Sequence, residues 1–166
     1  MKAQEKWIQA FETVFRNCKV EPGEIVRLLC ETESRSINVQ LAELALARMG
    51  AVTVQITVPS LPVTTPVPVR STGASHVVQN MPPVINALSG QGLVVDLTVE
   101  GLLHSPELPR ILESGARVLM VSNEHPEILE RLTTTLDLTK PVKNGVRMLA
   151  KSKHMRVSSA AGTALD

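Results

Sequence analysis

One imidazole in this 166-residue chain stands where chemistry could be done. The apolar run Leu93-Val94-Val95-Asp96 reads as a buried strand. After five intervening residues comes Leu102-Leu103-His104-Ser105-Pro106-Glu107, which leads into a helix. In an open α/β sheet, ligands bind beyond the carboxyl ends of the strands, and His104 falls at such an end. Imidazole exchanges its proton near neutral pH, so a loop histidine there suits a general acid or base. Ser105 as N-cap, Pro106 at the first helical position and Glu107 in the first turn account for the helix start. They leave His104 unexplained, and an ordinary surface histidine is the competing reading. Asp96 is a carboxylate in an apolar run and needs a partner if buried. It either faces the site or caps a neighbouring loop, and capping is the reading adopted.

Other chemistries lack their motifs. The loop after the first strand is Glu31-Thr32-Glu33-Ser34-Arg35, without the glycines that let backbone approach a pyrophosphate. Neither a Walker A pattern nor a G-x-S-x-G elbow occurs. Glu31, Glu33 and Arg35 either rim the sheet edge or form a solvated loop, the latter being adopted. His76, His104, His125 and His154 are far apart and make no H-x-x-x-H pair, so no complete metal site is expected within the chain. His125, just before Pro126, belongs near a helix start, and His154 suits the negative end of a helix dipole.

The elements that would position this loop follow from periodicity. Trp7, Phe11, Val14, Phe15 and Cys18 recur at helical spacing and predict a helix over 3–18. A β-branched run predicts a strand from Ile25 to Cys30. Ile37, Leu41, Leu44, Ala45 and Arg48 predict a second helix, closed by Gly50. A strand is expected over 51–58. The stretch from Pro59 to Gly73, with prolines at 62, 66 and 68 as well, excludes helix and central strand. It reads as a surface crossover, an oligomer contact or a substrate lid. Pro82-Pro83 opens a helix through about Ser89, and Leu93 to Val99 is the third strand. Pro106 to Ser114 is a short helix, Ala116 to Ser122 the fourth strand, and 126–132 another helix. A last helix has Thr139 as N-cap and Pro141 at its first position, with Lys151, Lys153 and His154 in its last turn. Met155 to Ser158 is read as a fifth strand, and the remaining residues show no closing element. Alternating strands and helices imply a Rossmann-like, mainly parallel open sheet of about five strands with helices on both faces. A single domain over 1–158 is expected, with 159–166 a tail or the start of a further domain.

Composition narrows the class. Lys+Arg of 17 against Asp+Glu of 16 gives a net charge of +1 with the signs interspersed, so no nucleic-acid or membrane partner is expected. One Trp, two Phe and no Tyr leave no stacking platform for single-stranded nucleic acid. Cys18 and Cys30 read as buried free thiols. The amino terminus lacks the apolar core of a signal peptide and no apolar run reaches membrane-spanning length, so a cytoplasmic location is expected.

The strings around His104 resemble a known family. Leu93-Val94-Val95-Asp96 followed by Leu102-Leu103-His104-Ser105-Pro106-Glu107 is similar to the central motif of the 2,5-dihydroxypyridine 5,6-dioxygenases, ring-opening enzymes of nicotinate and nicotine degradation. The likeness extends through Arg110-Ile111-Leu112, Gly115-Ala116-Arg117-Val118-Leu119, Pro126-Glu127-Ile128-Leu129-Glu130-Arg131 and Leu149-Ala150-Lys151-Ser152-Lys153-His154-Met155-Arg156-Val157-Ser158-Ser159-Ala160-Ala161-Gly162. Family members are about twice this length and hold a single non-haem Fe(II) through two histidines and a carboxylate of their carboxyl-terminal half. The chain therefore resembles the amino-terminal domain alone, with no iron expected on this portion.

The resemblance implies O2 and a small aromatic N-heterocycle as substrates, an extradiol-type cleavage and an N-formylated open-chain acid as product, without external reductant. It implies His104 as acid/base toward a ring hydroxyl, with Leu103, Leu102 and Ser105 contacting substrate. Two alternatives stand beside it: an aminopeptidase T-like metallopeptidase domain with two metals, and a non-catalytic assembly module. A homo-oligomer is expected because a lone domain of this kind exposes apolar surface.

Overall fold

The computed structural model describes residues 2–62, 73–133 and 137–165. They fall into two units, Met1–Thr133 and Thr134–Asp166. The domain expected over 1–158 thus spans both units, and most of the Pro59–Gly73 excursion lies outside the described residues.

In the first unit the helical stripe forms α1 (Glu5–Asn17), which buries Trp7, Ile8, Ala10, Phe11 and Phe15. β1 (Ile25–Glu31) follows, then α2 (Ser36–Arg48), β2 (Val52–Val58) and α3 (Pro82–Leu88). β3 (Gly92–Asp96), α4 (Leu108–Glu113), β4 (Ala116–Met120) and α5 (Pro126–Leu132) complete it. The four strands are all parallel, in the order β2-β1-β3-β4. This is the expected α/β architecture with four strands rather than about five.

Pleat alternation divides the core in two. Val26, Leu28, Cys30, Leu93, Val95 and Leu97 pack with Phe11, Phe15, Leu41 and Leu46 of α1 and α2. Leu29, Val58 and Val94 pack with Ile85, Leu88 and Ile111 of α3 and α4 on the other face. Each fully buried leucine or phenylalanine contributes about 1.5–3 kcal/mol relative to exposure, and burial of β1 and β3 on both faces is what a central parallel strand requires.

The second unit holds α6 (Thr139–Lys151) and a hairpin of β5 (Val157–Ser158) with β6 (Ala164–Leu165). The expected fifth strand is therefore β5, antiparallel and outside the parallel sheet. Its length explains this: two exposed residues cannot form a covered parallel strand, whereas the turn at Ser159–Gly162 closes locally through Gly162 N–H to Ser159 O at 3.1 Å. Ala164–Leu165, within the stretch expected as a tail or the start of a further domain, form β6.

Helix ends also differ from expectation. α4 starts at Leu108, with Glu107 as N-cap, because the Ser105 hydroxyl donates to Glu107 Oε2 at 2.6 Å instead of accepting a backbone N–H. α6 has Leu138 as N-cap, and Asp137 Oδ1 accepts the Thr139 N–H at 2.9 Å. It ends at Lys151, since extended Ser152 turns its hydroxyl back to Met148 O, so Lys153 and His154 lie past the helix. His125, expected near a helix start, is the N-cap of α5, its Nδ1 accepting the Glu127 N–H at 3.3 Å.

Candidate functional site

The chain reverses its direction of winding between β1 and β3, the switch point at which doubly wound sheets open a ligand crevice. Here protein fills that crevice. The Ser34 hydroxyl donates to Leu97 O at 2.7 Å, and Glu31 Oε1 accepts the Val99 N–H at 2.8 Å. Glu31 is buried, which corrects the reading of its loop as solvated; Thr32 and Glu33 are exposed. Arg35 is tied to Asn123, donating its N–H to Oδ1 and its Nε–H to the carbonyl.

The loop after β3 hangs from Asp96. That carboxylate is fully buried. Oδ1 accepts the Thr98 N–H at 3.0 Å and the Thr98 hydroxyl at 2.6 Å, and Oδ2 accepts the Leu102 N–H at 2.6 Å. Burial pushes its pKa up, opposed by these bonds from Thr98 and Leu102. The adopted capping role is the one observed.

Two glycines let the strands of this loop meet. Gly101 has φ +81°, and a Cβ there would strike Met120 Sδ and come within 2.6 Å of Ser122 Oγ. Gly73 has φ +75°, and a Cβ there would lie 2.9 Å from Leu103 Cβ. Gly73 N–H donates to Glu100 O, Ser75 N–H to Gly101 O, and His104 N–H to Gly73 O. The segment 73–75 therefore fastens the loop from outside while Asp96 fastens it from within.

The four sequence candidates divide two and two in burial. Leu102 is 1% exposed and belongs to the core with Leu29, Val58 and Ile111. Leu103 and His104 are exposed, and Ser105 is buried, its hydroxyl engaged with Glu107. Leu102 and Leu103 therefore do not share a surface. Leu103 and His104 are the pair that share a surface, and Leu102 and Ser105 hold it from either side. A separate concavity of about 540 Å³ lies over β1, β2 and α2, lined by Cys30, Glu31, Ser36, Glu43, Gln55 and Thr57; His104 is not among its walls.

Comparison with known proteins places this geometry in a family. The model of the 2,5-dihydroxypyridine 5,6-dioxygenases matches residues 6–166. The 2,5-dihydroxypyridine 5,6-dioxygenase of Pseudomonas putida is 30% identical over 158 residues, covering 93% of this chain and 44% of that protein. The chain belongs to the 2,5-dihydroxypyridine 5,6-dioxygenase family. The solved structure of the dioxygenase from Pseudomonas putida KT2440 superposes with a TM-score of 0.79 at 28% identity, over 98% of this chain and 47% of that one. The chain thus spans about half the length of the dioxygenases it matches.

Among the described residues of this family member, no three His, Cys, Asp or Glu side chains converge on a point where a metal could sit. The carboxylates nearest the loop already serve it: Asp96 holds Thr98 and Leu102, Glu31 holds Val99, and Glu107 takes the Ser105 hydroxyl. These residues do not fit an iron site. Sequence reasoning singled out Asp96 as a capping carboxylate but missed the anchors Ser34, Gly73 and Gly101. The spacing Asp96-x-Thr98 followed by Gly101 was the available signal, since Asp and Thr side chains close short turns onto nearby backbone N–H groups.

Proposed function

We propose that this chain is part of an Fe(II)-dependent, extradiol-type dioxygenase that opens the ring of 2,5-dihydroxypyridine with O2. It would serve the cytoplasmic breakdown of nicotinate-type heterocycles, as a homo-oligomer. The observation that carries the reading is the family match over nearly the whole chain. Ring opening that inserts both oxygen atoms needs no external reductant and yields an N-formylated acid. Iron, held by residues other than those described, would supply the activation of oxygen.

This chain's own contribution is the exposed pair. A flat heteroaromatic ring packs against the Leu103 side chain. The His104 imidazole, neutral, accepts the proton of a ring hydroxyl and so raises the electron density of the ring toward oxygen. His104 is suited to this by its placement: its backbone N–H is bound to Gly73 O, and buried Leu102 and Ser105 flank the exposed Leu103–His104 pair. Ser105 acts through Glu107 to set the chain direction, a positioning role.

The test is His104→Ala and His104→Gln in the complete, iron-saturated protein, followed by loss of 2,5-dihydroxypyridine and uptake of O2. Loss of a positioned general base costs roughly 10²–10⁴-fold, with iron content and melting temperature unchanged because the side chain is exposed. Wild-type turnover in His104→Ala removes His104 from the reaction.

A further inference from the structure

The carboxyl-edge loop is not the only feature that awaits a partner. β2 ends the sheet order and, among the described residues, pairs with β1 alone. An edge strand presents a row of free N–H and C=O groups, which proteins ordinarily blunt with lysine, proline or a bulge. The seven residues Val52-Thr53-Val54-Gln55-Ile56-Thr57-Val58 carry no charge and no proline. All seven are paired in unbroken register with Ile25–Glu31, so no bulge turns the edge away. Val52 and Val54 are about half exposed.

The strand reads almost the same in both directions, Val, Thr, Val, Gln, Ile, Thr, Val, with only the β-branched aliphatics Val54 and Ile56 exchanged on reversal. We propose that β2 is the docking surface for a second copy of this chain, by antiparallel pairing of β2 with β2 about a two-fold axis at Gln55. The proposal deepens the self-association part of the function proposed above and rests on that reading only for the existence of an oligomer.

A two-fold contact is isologous, so each residue must suit its symmetry mate. Only the register centred on Gln55 pairs all seven residues. It sets Val52 opposite Val58, Thr53 opposite Thr57, Val54 opposite Ile56, and Gln55 opposite itself. Opposed residues in an antiparallel pair lie on the same face. One face of the join is then wholly β-branched aliphatic and the other wholly polar, the kinds of cross-strand pair that favour a sheet.

The backbone agrees. Val52 donates its N–H to Glu24 O at 2.8 Å, and Val58 O accepts from Thr32 N–H at 3.1 Å, both on the β1 side. Pleat alternation turns the N–H and C=O of Thr53, Gln55 and Thr57 outward. In the Gln55-centred register these meet in matched pairs, Gln55 with Gln55 and Thr53 with Thr57 twice over, so every outward group of the strand finds a partner. The join would extend the four-stranded sheet to eight strands and leave no edge at β2.

Cross-linking reads the register directly. Hydrogen-bonded antiparallel partners have Cα atoms about 5.5 Å apart, inside the roughly 4.4–6.8 Å range of a disulfide. Gln55→Cys in the full chain should give, on mild oxidation, a disulfide-linked dimer roughly tenfold more abundant than wild type, since opposed thiols react at a high effective concentration. Thr53→Cys should not, because its two copies stand about 14 Å apart along the strands. Gln55→Lys opposes like charges at the axis, and Gln55→Pro removes an outward N–H that an edge strand does not need for its own sheet. Both should sediment as a smaller species with the helical and sheet circular dichroism of wild type. An oligomer that survives both substitutions, with no excess cross-link from Gln55→Cys, overturns this surface while leaving self-association standing. A wild-type protein that sediments as a monomer overturns both.

Discussion

Replacing Asp96 by alanine isolates the anchor of the candidate loop. The substitution strands the backbone N–H groups of Thr98 and Leu102, both within buried surroundings, and frees the Thr98 hydroxyl. An unsatisfied buried donor costs about 1–3 kcal/mol, so two of them give roughly 2–6 kcal/mol. Removing a desolvated carboxylate returns part of that, which leaves a net loss of about 2–4 kcal/mol. At roughly 4 °C per kcal/mol for a unit of this size, the melting temperature falls by about 8–16 °C. Hydrogen exchange at the Leu102 amide rises toward the rate of an open loop, and Leu103 and His104 lose their fixed place. The pH dependence has a definite sign. Burial raises the Asp96 pKa in the folded state, so the folded protein binds a proton more tightly than the unfolded chain. That contribution is complete below the ordinary carboxylate range and is lost as pH rises through the raised value. Asp96→Asn, which does not titrate, flattens the stability profile in that window. Thermal unfolding across pH with exchange measured at Leu102 decides the matter: a melting point within 2–3 °C of wild type and a still-protected Leu102 amide in Asp96→Ala would refute the anchoring argument.

Two further perturbations probe the same scaffold. Gly101→Ala forces a Cβ against Met120 Sδ and to within 2.6 Å of Ser122 Oγ at a φ of +81°; it should cost about 2–4 kcal/mol by overpacking and backbone strain, read as a lowered urea midpoint, and an unchanged midpoint would show that the loop can move aside. Burial, with Glu43 and Asp96 nearby, pushes the Cys30 thiol up to about 11, so in native protein at pH 8 it should react with an aromatic disulfide reagent far more slowly than a free cysteine; labelling of Cys30 at the free-thiol rate without unfolding contradicts its place in the core.

The fold was legible wherever one period dominated. Trp7, Phe11 and Phe15 mark α1, and the β-branched runs at 25–30 and 51–58 mark β1 and β2 to within a residue or two. Helix ends were less legible, because a cap is decided by which of several polar side chains wins. Ser105 has the right type and place for an N-cap, yet Glu107 takes its hydroxyl. At Met155–Ser158 the sequence has strand-like residues, but whether a short run joins the parallel sheet or folds on itself depends on contacts that local pattern does not carry. In the site, Asp96 could be read from its polarity in an apolar run. The inward turn of Glu31 could not, since its partner is a backbone N–H 68 residues away. Leu102 and Leu103 are the sharpest case. Identical neighbours divide into core and surface because the loop passes over the end of the sheet with Asp96 holding the Leu102 N–H.

That division bears on how the proposed chemistry can work. A general base acts well where water is excluded and its partner dipoles are fixed. Leu103 and His104 have fixed backbone but open side chains, and the crevice beside them is closed by Ser34 to Leu97 and Glu31 to Val99. On the proposed reading, the described residues would supply one wall and one proton acceptor, and a ring lying on Leu103 would have its other face uncovered by them. Productive binding would then need other protein over that face. Asp96, Glu31 and Glu107 each accept a hydrogen bond within this ledge, so in the proposed enzyme the metal ligands would be other residues. A ledge of this kind tolerates change at Leu103 and His104 without unfolding, whereas change at Leu102 or Asp96 disturbs the core first. Loss of turnover at unchanged stability is thus the signature of contact with substrate, and joint loss of both is the signature of placement.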